Sequence, residues 1–135
     1  MTTSEQVRPT ILVVDDNEAN CALAQETLED EGYAVLVARS GKEGLEAFAA
    51  HRPACVVLDV RMPDLDGREV TRRIRQEEAL AGTATPMRIV ALTASVVGNP
   101  DDIVREAGFD GLLTKPFGVE ALAAELDGMR LREAV

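Results

Sequence analysis

Val56-Val57-Leu58-Asp59-Val60-Arg61-Met62-Pro63-Asp64 carries an apolar run that stops on a carboxylate. From Ala54 to Leu58 no polar residue alternates with the apolar ones, the pattern of a strand covered on both faces, so Asp59 marks where a central strand meets water. Alone, the stretch has two readings: a functional acid at a strand end, or the start of a polar turn leading to Pro63 and Gly67. The company Asp59 keeps favours the first.

Upstream, Thr10 to Val14 is a β-branched apolar run ending on Asp15 and Asp16. Asn17 then opens a segment with Ala19, Ala22, Leu23 and Leu28 at helical spacing. Gly32 stands where a left-handed helix end is wanted, and Tyr33 can fold back on the last turn. A second strand, Ala34 to Ala38, leads to a helix that starts at Ser40-Gly41 and carries Leu45, Ala47, Phe48 and Ala49. It ends near His51-Arg52-Pro53, because a proline disfavours helix in the residue before it. His51 reads as a solvated helix-end residue.

Downstream, Asp64-Leu65-Asp66-Gly67 leads into a third helix with Val70, Ile74 and Ala79 inward. Arg68, Arg72, Arg73 and Arg75 point largely outward, and with Glu69, Glu77 and Glu78 among them they read as a mixed-charge solvated face rather than a phosphate site. Met87 to Leu92 is a fourth strand ending on Thr93. Asn99-Pro100-Asp101-Asp102 has the capping residue, first-turn proline and acids of a helix start, which predicts a fourth helix to about Ala107. A short strand, Gly111 to Thr114, reaches Lys115-Pro116, and a last helix carries Leu122, Leu126 and Met129.

Composition narrows the possible functions. The chain has 135 residues, 46% of them apolar, which suits one domain with one core. Aromatics are 3%, too few to stack on bases or flavins, and a net charge of −10 repels nucleic-acid phosphates, so no direct nucleic-acid binding is expected. Cys21 and Cys55 fit no paired metal spacing and read as small buried hydrophobes of a reducing compartment. No apolar run approaches a membrane span and Met1 to Pro9 is too polar for a signal peptide, so the expected location is the cytoplasm.

Strands alternating with five helices require right-handed crossovers and an open parallel sheet clothed on both faces, a doubly wound α/β sandwich. In such sheets the crevice lies at the carboxyl ends of the strands. Those ends are Asp15 and Asp16, Asp59, Thr93 and Lys115. Three carboxylates within about 4 Å repel by roughly 4 kcal/mol per pair at an effective dielectric of about 20, so the set calls for a cation. Oxygen donors without His or Cys favour Mg2+, which takes one or two carboxylates and leaves another free as a nucleophile. A phosphoryl group in transfer spreads charge over its oxygens, which Lys115 and the Thr93 hydroxyl can share. Taken singly, each member has an ordinary structural reading, the Asp pair as a helix cap and the others as plain strand ends. Their conjunction carries the signal.

Val13-Val14-Asp15-Asp16-Asn17, Val57-Leu58-Asp59 with Met62-Pro63 and Asp66-Gly67, Ala91-Leu92-Thr93-Ala94, and Leu113-Thr114-Lys115-Pro116-Phe117 together resemble the receiver domain of two-component response regulators. The resemblance spans about Thr10 to Arg130. Asp16-Asn17-Glu18-Ala19-Asn20 and the long loop before Pro86 look most like receivers attached to hybrid histidine kinases.

For the fold, the resemblance implies a flavodoxin-like sheet of order 2-1-3-4-5 with five helices in three layers. The receiver domain would cover residues 10–132, between a flexible lead, 1–9, and a tail, 133–135. For the site, it implies that Asp59 accepts phosphate from a histidine kinase or a phosphotransfer protein. Asp15, Asp16, Asp59 and the backbone carbonyl of Arg61 would hold Mg2+. Thr93 would act as the switch, Lys115 would pair with the phosphate, and the bond before Pro116 would be cis. Leu112 stands where many relatives carry a switch Tyr or Phe.

The implied protein is a signalling receiver rather than an enzyme, although it assists its own Mg2+-dependent phosphorylation and dephosphorylation. No output domain is expected in the chain, and the face formed by helix four, strand five and helix five offers a homodimer or partner surface. Three alternatives are weighed against this. An interaction module that keeps only the fold would not need the acidic set. A haloacid-dehalogenase-type phosphatase wants a second Asp where Arg61 stands. A flavodoxin-like electron carrier wants a Ser/Thr-rich loop where Asp15-Asp16 stand.

Overall fold

The computed structural model describes residues 10–82, 87–93 and 108–114, with Ala121 and Ala124. Lys115, Pro116, the residues after Thr93, the expected fourth helix, all of the expected last helix but Ala121 and Ala124, and both termini lie outside the described residues. Within them, the elements are β1 (Thr10–Val14), α1 (Glu18–Asp30), β2 (Ala34–Ala38), α2 (Gly41–His51), β3 (Cys55–Asp59), α3 (Gly67–Ala81), β4 (Arg88–Thr93) and β5 (Gly111–Thr114).

The five strands form one parallel sheet in the order β2-β1-β3-β4-β5. The alternation of elements predicts the doubly wound parallel sheet, and its flavodoxin-like order is the one the family resemblance implies. β3 is buried at every position, as its unbroken apolar run requires of a central strand, whereas the edge strand β2 is only partly covered.

Side-chain alternation divides the core between the two faces. On one face Ile11, Val13, Cys55, Val57, Val90 and Leu92 pack with Cys21, Ala24 and Leu28 of α1. On the other, Leu12, Val14, Val56, Leu58, Ile89 and Ala91 meet Phe48 of α2 and Val70 and Ile74 of α3. Each fully buried aliphatic side chain contributes about 2 kcal/mol. Cys21 and Cys55 form no disulfide and are buried in the first cluster, packed as small hydrophobes.

Local chemistry sets the helix ends. Asn17 caps α1 by accepting from the Asn20 N–H, and Ser40 caps α2 by accepting from the Glu43 N–H. At the end of α1, Tyr33 N–H donates to the Leu28 carbonyl and Gly32 N–H to that of Glu29. Gly32 has φ 96°, so the turn is a Schellman motif, and buried Tyr33 packs in the cluster that holds Leu28. α2 ends on Arg52 at φ 47°, whose guanidinium lies 4.8 Å from the Phe48 ring centroid.

Helix faces differ from expectation in detail. α1 buries Cys21, Ala24, Thr27 and Leu28, leaving Ala19, Ala22 and Leu23 exposed. In α2, Ala49 is exposed while Gly41 and Gly44 are buried, and in α3, Ala79 is exposed while Thr71 and Glu78 are buried. Arg75 is half-buried rather than turned outward.

Candidate functional site

Strand register levels the acids before any side chain is considered. Val14 is opposite Leu58, so Asp15 and Asp59 leave adjacent strands at the same height, and Asp59 is opposite Leu92, so Thr93 follows one step on. Asp15 is 0% exposed, Asp59 5% and Thr93 9%. Asp16, two residues beyond the end of β1, is exposed. One carboxylate oxygen from each of Asp15, Asp16 and Asp59 lies within 4.8 Å of the others. The three acids picked out at strand ends are therefore one cluster, and their hard oxygen donors suit a small divalent cation.

Backbone and side-chain donors hold the carboxylates of Asp15 and Asp59, and Arg39 holds the backbone of Asp16. Asp15 Oδ1 accepts from Asn17 N–H at 2.9 Å and its Oδ2 from Asn20 Nδ2 at 3.2 Å. The Asp15 backbone donates to the Ala38 carbonyl and accepts from Cys21 Sγ at 3.2 Å. Arg39 Nη2 donates to the Asp16 carbonyl at 3.1 Å, tying the β1–α1 loop to the residue after β2. Asp59 Oδ1 accepts from Arg61 N–H at 3.0 Å, while Val60 N–H donates to the Leu92 carbonyl at 2.9 Å.

The loop after Asp59 is built by residues with other tasks. Asp64 Oδ1 and Oδ2 accept from Gly41 and Lys42 N–H, each at 2.9 Å, so an acid from the β3–α3 loop caps α2. Those two bonds, Lys42 first, hold the Asp64 carboxyl below its ordinary pKa. Asp66 caps α3 by accepting from Arg68 N–H at 2.7 Å. Gly67 N–H donates to the Val60 carbonyl at 2.7 Å, and a Cβ there would stand 2.6 Å from the Asp59 carbonyl oxygen. Only glycine permits that approach.

On α3, Glu69 is paired with both Arg72 and Arg73, Arg72 making the larger contribution, which pulls its carboxyl down to about 2. That pairing is the solvated face expected of the arginine group. Arg75 departs from it. Its guanidinium donates to the carbonyls of Met87 and Gly108 and to the carboxylates of Glu78 and Asp110, at the amino ends of β4 and β5 and away from the acids.

Sequence reasoning missed Asn20, Asp64 and Arg75 as structural partners. The capping role of Asp64 had no local signal because it reaches Gly41 from 23 residues away. Leu112 is partly buried on the α2–α3 face of β5, opposite Ala91.

The chain belongs to the response regulator receiver domain family, which it matches over residues 11–127. It is 43% identical over 115 residues to the sensor histidine kinase GacS of Pseudomonas protegens, covering 85% of this chain and 12% of that protein. It is 39% identical over 122 residues to the response regulator MprA of Mycolicibacterium vanbaalenii, covering 90% of this chain and 50% of that one. The chain thus spans half or less of the length of these relatives. The chemotaxis protein CheY4 of Vibrio cholerae superposes with a TM-score of 0.80 at 28% identity, over 91% of this chain and 99% of that one. A match within a sensor kinase agrees with the hybrid-kinase resemblance of the Asp16 to Asn20 stretch. The chain is a signalling domain, and no helix among its described residues is long and apolar enough to cross a membrane.

Proposed function

We propose that Asp59 is the phosphoacceptor of a two-component relay, taking a phosphoryl group from a histidine kinase or a histidine phosphotransfer protein in the cytoplasm. The observation that carries this reading is the convergence of Asp15, Asp16 and Asp59 within 4.8 Å at the carboxyl edge of the sheet. Asp59 ends the central strand, where Arg61 N–H holds one of its carboxylate oxygens. Its other oxygen is the nucleophile: the P–N bond of the phosphohistidine breaks as the O–P bond forms, and the imidazole leaves with the electron pair.

Asp15, Asp16, Asp59 and the Arg61 carbonyl would hold Mg2+, whose charge offsets that of the carboxylates and of the transferring phosphoryl oxygens. Thr93 and Lys115 would receive those oxygens on the β4 and β5 side, and Pro116 would fix the chain after Lys115. Phosphorylation shifts a pre-existing equilibrium only by the difference in interaction energy between its two states, and the Thr93 hydroxyl supplies part of that difference. Leu112 has no polar tip to supply more. The changed surface would be read by a downstream protein, with the face of helix four, strand five and helix five as a partner or homodimer surface.

Incubation with acetyl phosphate tests the reading. Base-labile phosphoryl incorporation is expected with Mg2+, is lost on chelation, and is absent from Asp59→Asn. Incorporation that is indifferent to Mg2+ would refute the metal's part in it.

A further inference from the structure

Asn20 spends its side chain on Asp15. A carboxylate only accepts, so the amide turns its nitrogen to Asp15 Oδ2, 3.2 Å away. The helix cap does not need that side chain, because Asn17 is met by the Asn20 backbone N–H at 3.0 Å. The bond also joins two differently placed groups. Asp15 is wholly buried at the end of β1, while Asn20 sits in the first turn of α1, partly buried. With Asn17 N–H on Oδ1, the two donors grip the carboxylate from both oxygens and set the plane in which it faces Asp16 and Asp59.

We propose that Asn20 is a positioning residue of the acidic site: by holding Asp15 Oδ2 it gives the site its preference for a small octahedral cation. This rests on the metal reading above. Mg2+ demands near-ideal octahedral geometry, whereas Ca2+ accepts six to eight oxygens in flexible arrangements. A carboxylate free to turn therefore harms Mg2+ binding more than Ca2+ binding. Groups that orient ligands from behind typically change metal affinity by about 10- to 100-fold when removed.

Calorimetric titration of the whole chain with Mg2+ and with Ca2+ tests this in the wild type, Asn20→Ala and Asn20→Gln. The expected result is a Mg2+ Kd raised about tenfold in Asn20→Ala, with the Ca2+ Kd raised no more than about threefold. Asn20→Gln keeps an amide donor and should fall between wild type and Asn20→Ala; it also carries the test if the alanine variant does not fold. A purely structural role would lower melting temperature but weaken both ions equally. Equal weakening, or an unchanged Mg2+ Kd, would overturn the inference. A wild type that binds no Mg2+ would overturn the metal reading itself, and the inference with it.

Discussion

Arg75 Nη2 lies 2.9 Å from Asp110 Oδ2, joining α3 to the residue before β5. The same carboxylate oxygen accepts from Ile89 N–H at 2.7 Å, and Glu78, whose other oxygen accepts from Met87 N–H at 2.6 Å, is Arg75's second partner. One guanidinium therefore pins the starts of β4 and β5 against α3. Arg75→Ala would leave Glu78 and Asp110 without it, Glu78 being only 10% exposed at its side chain. The expected loss is about 3 kcal/mol in urea unfolding, with Arg73→Ala near wild type because its pair with Glu69 is exposed.

That clamp bears on the proposed switch. With β5 tethered at Asp110 and Leu112 packed without a polar tip, β5 is expected to change little on activation. Hydrogen exchange with and without beryllofluoride should leave the Leu112 and Leu113 amides equally protected, while amides following Thr93 change. Loss of protection at Leu112 as large as that after Thr93 would show that the leucine moves as an aromatic switch residue would.

Gly67 couples the fold to the site more closely than its place at the start of α3 suggests. A Cβ there would meet the Asp59 carbonyl oxygen at 2.6 Å and the Val60 Cα at 2.8 Å, both backbone atoms that cannot swing aside. Gly67→Ala should cost about 2 kcal/mol of stability. It should also slow phosphorylation from acetyl phosphate, since the strain falls on Asp59. A variant that is destabilised yet phosphorylated at the wild-type rate would separate the two effects.

Asp64 predicts an acid dependence. Its folded pKa lies below the ordinary 3.8, so its contribution is fully present above that value and is lost as pH falls through the lower folded pKa. The stability gap between wild type and Asp64→Ala should be largest near neutrality and close below about pH 4. Denaturant melts from pH 7 downward measure it, and a gap that widens with acid would contradict the capping account. The variant should still accept phosphate, because Asp64 is engaged at the start of α2.

Which parts of this were legible in advance follows from the contrast each residue offers. The strands were readable because buried parallel strands are nearly continuous in Val, Leu and Ile, as in β1 and β3, and the site acids because they interrupt those runs. Faces of α1 were less so. Ala19 and Ala22 differ little in hydropathy from Cys21 and Ala24, and packing in the cluster with Ile11, Val13, Cys55 and Val57 chose the second pair, while Thr27 is buried and the more apolar Leu23 is left exposed. Arg75 was misread because helical position says where a Cβ points, while a long stem lets the guanidinium reach the next element. Asn20 and Asp64 act across turns and loops, where spacing carries no periodic signal.

The central claim is that Asp59 alone takes the phosphoryl group, and mapping the modified residue tests it most directly. The chain is phosphorylated with acetyl phosphate and Mg2+, the acyl phosphate is reduced with borohydride to mark its aspartate, and the peptides are sequenced by mass spectrometry. The account predicts the mark at Asp59, with none in Asp59→Asn. A mark at Asp15, Asp16, Asp64 or Asp66 in the wild type, or one that persists in Asp59→Asn, would contradict it.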